Sequence, residues 1–134
     1  MQITKTFTFN AWHRLLNYDG VCSNVHGHNY LVEVTLSWEL NDQWIIFDFK
    51  ELKPIKTRID SHRDHAFIYE SWDPIGEIIT SQWLKTYTLT TPPSTENLCL
   101  ELISQLEKHH ERAKMICEIV IWETPKCKAV RTKK

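Results

Sequence analysis

The sequence predicts an α+β fold. Period-two alternation marks strands near both ends of the chain, and leucines at helical spacing mark a helix between them. No internal repeat and no linker divides the 134 residues, so one domain spanning 1–134 is expected.

The elements follow in order. From Ile3 to Ala11, Ile3, Phe7, Phe9 and Ala11 alternate with threonines and Asn10, the pattern of a strand with one buried face. Asn17-Tyr18-Asp19-Gly20 is a turn cluster. Beyond it Tyr30, Val32, Val34, Leu36 and Trp38 alternate with Leu31, Glu33, Thr35, Ser37 and Glu39, a second strand. Asn41-Asp42 marks another turn, and Trp44 to Phe47 reads as a short strand. Asp48 then caps a helix through Phe49, Leu52, Ile55 and Ile59, which tolerates Pro54 only in its first turn. Asp73-Pro74 is an N-cap followed by proline at the first helical position, opening a helix over Ile75 to Leu84. Lys85 to Thr90 alternates weakly, and Pro92-Pro93 ends it. Ser94 or Thr95 caps a helix in which Leu98, Leu102 and Leu106, with Cys99 and Ile103, make one apolar stripe. Met115 to Glu123 is a buried strand, and a last strand falls near Ala129.

Composition narrows the function. Six Trp, five Phe and four Tyr within 42% hydrophobic residues supply enough apolar area for a core, which excludes a disordered chain. Sixteen Lys and Arg against 17 Asp and Glu leave a net charge of -1, without the broad basic field that sequence-independent nucleic-acid binding needs. No apolar run approaches the roughly 20 residues that span a bilayer, so neither a membrane nor a nucleic acid is the expected partner. The N-terminus lacks the apolar stretch of a secretion signal, and Cys22, Cys99, Cys117 and Cys127 contain no C-x-x-C pair. Free thiols and a cytoplasmic location are the expectation.

Three histidines stand out. His26 and His28 are separated by one residue at the head of the second strand and point the same way when extended. His13 shares the parity of Phe9 and Ala11, so a hairpin of the first two strands brings it beside them. Three imidazoles make a zinc site with one open position, the catalytic pattern, although an accidental His-x-His is the plain alternative. Cys22 lies in a loop four residues before His26 rather than in an apolar stripe, where its thiolate could move protons. Asp64-His65 places a carboxylate next to an imidazole, though within Arg58 to Asp64 it also reads as a solvated, charged helix end. Glu123 continues the face of Cys117, Ile119 and Ile121, and a carboxylate there matches the two N–H donors of an amino-pyrimidine edge.

As a set, these segments resemble a known family. Phe9-Asn10-Ala11-Trp12-His13, Cys22 to His28, Asp48-Phe49 with Leu52-Lys53, Asp64-His65, Pro93 to Asn97 and Glu123-Thr124 occur in the order seen in the 6-pyruvoyltetrahydropterin and 6-carboxytetrahydropterin synthases, from Phe7 to about Val130. The three-residue gap between Cys22 and His26 is similar to the bacterial carboxy-forming branch of queuosine biosynthesis. The resemblance implies a T-fold subunit, an antiparallel sheet with helices on one face, whose trimers close a β-barrel and often pair into a homo-hexamer. It implies Zn2+ on His13, His26 and His28, and Cys22 as proton-transferring base assisted by Asp64 and His65 across a subunit interface. It further implies that Glu123 anchors the pterin and joins the relay, and that Thr95 and Glu96 hold the ring. The expected substrate is 7,8-dihydroneopterin triphosphate, converted to 6-carboxytetrahydropterin, acetaldehyde and triphosphate.

The chain departs from that pattern in places. Trp12 stands where a small residue is usual, Trp44 to Phe47 lacks the usual Gly, Ser94 replaces Thr, Arg63 replaces Leu, and Arg131 falls near a common Tyr. The segment between His65 and Pro93 is also longer than in compact members. Two other functions share the same residues. One is a pyruvoyl-forming or dihydroneopterin-processing enzyme, and the other a non-catalytic module that binds zinc, a pterin or a purine.

Overall fold

A computed structural model describes residues 1–134 of the chain. Strands β1 (Gln2–His13) and β2 (His26–Ser37) form a long antiparallel hairpin, in register from Gln2 opposite Ser37 to His13 opposite His26. Phe7, Phe9, Ala11 and His13 of β1 and Tyr30, Val32, Val34 and Leu36 of β2 are buried, one face of the pleat. Both strands reach further toward the turn than their apolar alternation runs, because pairing continues across the histidines.

Trp44 to Phe47 is not a strand. Asn41 pulls it into turns by accepting the amides of Gln43 and Ile45 at 2.8 and 3.3 Å, and Trp44 sits at φ 63, which extended backbone cannot hold. Asp48 accepts from the Lys50 amide and starts a short 3-10 turn, Phe49–Leu52, that runs into α1 (Lys53–His62). Pro54 sits in the first turn of α1, where a missing amide hydrogen breaks no helical bond.

A strand that the sequence reading did not separate from the charged helix end follows: β3 (Ala66–Glu70). It is buried from Ala66 to Tyr69 and so has no alternation to read. α2 (Pro74–Ser81), capped by Asp73, leads to β4 (Thr86–Leu89). The helix ends before Leu84 because Gln82 and Trp83 close a turn on Ile79 and Thr80, with Trp83 at φ 62.

α3 (Thr95–His109) is capped by Ser94, whose Oγ accepts from the Asn97 amide, and buries Leu98, Cys99, Leu102, Ile103 and Leu106. β5 (Ile116–Thr124) pairs with β2, and β6 (Cys127–Thr132) with β5, both antiparallel.

The sheet order is β4-β3-β1-β2-β5-β6. Four antiparallel strands match the expected sheet. β3 and β4 extend it in parallel: β4 follows its neighbour β3 through the α2 crossover, and the chain leaving β2 passes through α1 to lay β3 on the other side of β1. α1 and α3 cover the face that carries the 25-residue core. α2 lies instead against Tyr69, which alternates away from the core residues Ala66 and Ile68. No helix is long and apolar enough to cross a membrane.

Candidate active site

The three histidines converge at the turn end of the β1–β2 hairpin. His13 pairs across from His26, His28 follows on the same face, and one ring nitrogen from each lies within 4.8 Å of the other two. Two backbone carbonyls orient the rings. Nδ1–H of His13 donates to the Pro93 carbonyl at 2.7 Å, and Nδ1–H of His26 donates to the Asn24 carbonyl at 2.7 Å. Each bond fixes the tautomer that leaves the Nε2 lone pair free, the outer support that metal-ligating histidines use.

His28 Nε2 is buried and has no hydrogen-bond partner, an unmet demand that a metal ion would answer. Burial holds the His13 imidazole below its usual pKa, against the Pro93 bond, with His26 adding to the effect. His28 is lowered by burial too, against the pull of Glu123. Neutral imidazole is the form that binds metal, so the donor set fits a divalent ion of the zinc type.

Glu123, at the end of β5, faces the cluster. Its Oε1 stands 3.4 Å from His28 Nε2 and 3.5 Å from His13 Nε2. Beneath lies Tyr30, stacked on Phe9 at 4.7 Å, with its hydroxyl 3.4 Å from the His13 ring nitrogens. Burial pushes that hydroxyl well above the ordinary phenol range, so it stays protonated.

Beside the histidines opens a cleft of about 240 Å³, lined by His13, Cys22, Thr95, Glu96, Glu123 and Cys127 among others. Cys22 sits in a single 3-10 turn, Val21–Ser23, tied to the end of the first strand by a 2.8 Å bond from the Leu15 amide to the Cys22 carbonyl. Its thiol is free and half-buried. Thr95 and Glu96 belong to the first turn of α3, held near the cluster because Pro93, just before the cap, accepts from His13. Cys127 was not singled out from the sequence, although the Pro125-Lys126 turn that returns it toward Thr124 was its available signal.

Asp64 and His65 are not among the residues that line this cleft. They do form a contact pair: His65 Nδ1 donates to Asp64 Oδ2 at 2.8 Å. Asp64 Oδ1 accepts from the Asn10 amide at 2.9 Å, and the His65 amide donates to the Asn10 carbonyl at 2.6 Å. Burial works to raise the Asp64 carboxyl, but the Asn10 and His65 hydrogen bonds and nearby positive charge outweigh it and hold it below the usual range. The His65 side chain is 76% exposed, so its imidazole is presented outward. A larger depression of about 730 Å³ between α1 and the end of α3 is lined by Lys50, Lys53, Arg58 and His109. It lacks the convergence of imidazole, thiol and carboxylate that distinguishes the smaller cleft.

Residues 2–134 match the sequence profile of the family described as 6-pyruvoyl tetrahydropterin synthase. The chain is 32% identical over 133 residues to a Rickettsia bellii protein named 6-carboxy-5,6,7,8-tetrahydropterin synthase, covering 95% of this chain and 96% of that protein. The Haemophilus influenzae protein of the same name is also 32% identical over 133 residues, with 92% and 93% covered. Among solved structures, an uncharacterized protein from Wolinella succinogenes superposes with a TM-score of 0.87 at 21% identity, covering 100% of this chain and 98% of that one. Caenorhabditis elegans 6-pyruvoyl tetrahydropterin synthase superposes with a TM-score of 0.77 at 22% identity, covering 100% and 96%. Both superpositions establish the shared fold.

Proposed function

The chain belongs to the 6-pyruvoyl tetrahydropterin synthase family, and from that premise we propose that it is a zinc-dependent 6-carboxy-5,6,7,8-tetrahydropterin synthase acting on 7,8-dihydroneopterin triphosphate in queuosine synthesis. The observation that carries this reading is the three-imidazole cluster of His13, His26 and His28, of which His13 shares one cleft with the Cys22 thiol and the Glu123 carboxylate. The two relatives of that name, each matched over more than nine-tenths of this chain, support the carboxy-forming product.

In this reading His13, His26 and His28 hold the ion, which when bound supplies Lewis acidity toward the hydroxyls of the substrate side chain. The Glu123 carboxylate accepts two N–H bonds from the amino-pyrimidine edge of the pterin, with Thr95 and Glu96 flanking the ring. That fork orients the ring so that C6 and its side chain face Cys22. The Cys22 thiolate takes and returns protons there, and triphosphate departs by elimination. Water then adds to C1′ of the remaining side chain, the C1′–C2′ bond breaks, the two-carbon end takes up a proton and leaves as acetaldehyde, and C1′ is left as the 6-carboxyl group.

Asp64 and His65, turned outward, act on the cleft of a neighbouring copy, where the carboxylate orients the imidazole and stabilises its protonated form. This places the enzyme in a homo-oligomer built on trimers and most simply a hexamer. Unpaired edge strands support assembly, because β1 meets β3 only at Ala11 and Trp12 and β6 has no outer neighbour.

The test is to incubate zinc-loaded protein with 7,8-dihydroneopterin triphosphate, identify the pterin by mass and assay acetaldehyde. A 6-carboxy product with acetaldehyde is expected. A 6-pyruvoyl product would transfer the chain to the biopterin-type reaction, and absence of triphosphate release would leave a binding module.

A further inference from the structure

Arg63 occupies a place that an apolar residue would fill more simply. It stands between the end of α1 and Asp64, and only 1% of it is exposed. Nη2 donates to Glu101 Oε2 on α3, and the guanidinium carbon lies 5.1 Å from the centre of the Tyr87 ring on β4. Tyr87 in turn donates its hydroxyl to Glu101 Oε1, so one carboxylate is gripped from both sides. Burial and the neighbouring Glu101 push the Tyr87 hydroxyl up to about 12, which keeps it a donor. Nε and Nη1 of Arg63 have no protein partner, so the arginine is not there to satisfy its own hydrogen bonds.

A buried ion pair of this kind adds little net stability compared with well-packed apolar side chains. What it adds is geometry, because a planar guanidinium between a carboxylate and a ring has few ways to sit. The next two residues need such definition. Asp64 must keep its carboxyl on the Asn10 amide, and His65 must hold φ at 59, a left-handed conformation uncommon outside glycine and asparagine. Lys85 secures the same corner from just before β4, its Nζ donating to the carbonyls of Asp60 and Asp64 at 2.7 and 2.5 Å. Glu101 adds a link to α3, the helix whose first turn supplies Thr95 and Glu96 to the cleft.

We propose that Arg63, held between Glu101 and Tyr87, is a positioning residue that sets the Asp64–His65 pair against α3 so that its outward-facing imidazole reaches the reacting cleft of a neighbouring copy. The inference rests on the function proposed above. The chain thereby replaces a plain apolar contact with a directional one at the root of its longer β3–α2–β4 segment.

The discriminating variant is Arg63→Leu with Glu101→Leu, which removes both charges and leaves an apolar contact in which only the Tyr87 hydroxyl has lost its acceptor. The expected result is a folded, zinc-binding oligomer whose kcat falls about tenfold or more while KM stays near wild type, the signature of misplacement by a fraction of an ångström. Native-state hydrogen exchange at the His65 amide should rise in the same variant, a readout that needs no substrate. Should the double variant fail to fold, Arg63→Lys, which keeps the charge but not the planar stack, carries the same two measurements. Wild-type kcat and wild-type exchange in a folded variant would overturn the inference. If the unaltered protein does not turn the substrate over, the functional reading fails, and faster exchange at His65 would still uphold the clamp.

Discussion

His13 on the first strand and Pro93 at the threshold of α3 are joined by a 2.7 Å hydrogen bond from imidazole Nδ1–H to the proline carbonyl. That one bond aims the remaining ring nitrogen at the other two histidines and holds the first turn of α3 beside them. The histidine cluster and the cleft beside it are thus built on a common hinge of sheet and helix.

Zinc should bind at one ion per chain. Replacing His13 by Ala should weaken binding by at least about a hundredfold, beyond the range seen when only an outer hydrogen-bond partner is lost. Competition against a chromophoric chelator measures this directly, and undiminished affinity in His13→Ala would remove the site.

Cys22→Ser should separate chemistry from structure. With zinc content unchanged, kcat on 7,8-dihydroneopterin triphosphate should drop about 10²- to 10⁴-fold, the span of a lost general acid or base. A variant that binds zinc and keeps full turnover would reduce the thiol to a structural role.

Much of this was legible beforehand. Strand parity alone placed His13 beside His26 and His28, and it placed Glu123 at the end of the buried face of β5, because a period of two survives wherever one face is buried. β3 escaped because Ala66 to Tyr69 are all buried, and Trp44 to Phe47 misled because apolar side chains there are held in turns by Asn41. The contact between Asp64 and His65 depends on a left-handed backbone and on Asn10, fifty-odd residues away in sequence, which no local pattern reports. Cys127 reaches the cleft only through the irregular pairing of Thr124 with Cys127.

Acid should weaken the fold through Asp73. Both of its oxygens are 2.7 Å from the Arg14 guanidinium, one also accepts the Ile75 amide, and the Arg14 bond leads in holding its pKa below the usual carboxylate value. A carboxyl depressed on folding contributes stability that is present above its unfolded pKa, about 3.9, and is lost as pH falls through the lower folded value. Asp73→Asn should cost about 1–3 kcal/mol at neutral pH in urea unfolding and should flatten the acid limb below about pH 4. An equally steep acid limb in the variant would assign it to other carboxylates.

Gly76 tests how α2 is seated. A Cβ there would come within 2.0 Å of Tyr69 Cδ2, so Gly76→Ala must push the helix off the sheet despite the better helix propensity of alanine. A loss of about 1–3 kcal/mol is expected, with partial recovery on adding Tyr69→Ala, read by thermal melting. A stabilised Gly76→Ala would mean that α2 is free to shift.

The register of the first hairpin also orders events in time. All three imidazoles lie on one local hairpin, whereas Glu123 arrives on a strand that pairs with β2 only after the rest of the chain has been laid down. Closing the short loop sacrifices far less chain entropy than joining β2 to β5. On a nascent chain the three imidazoles are neighbours before the Glu123 carboxylate has been synthesised, so the histidine cluster can form early and the cleft is completed around it last.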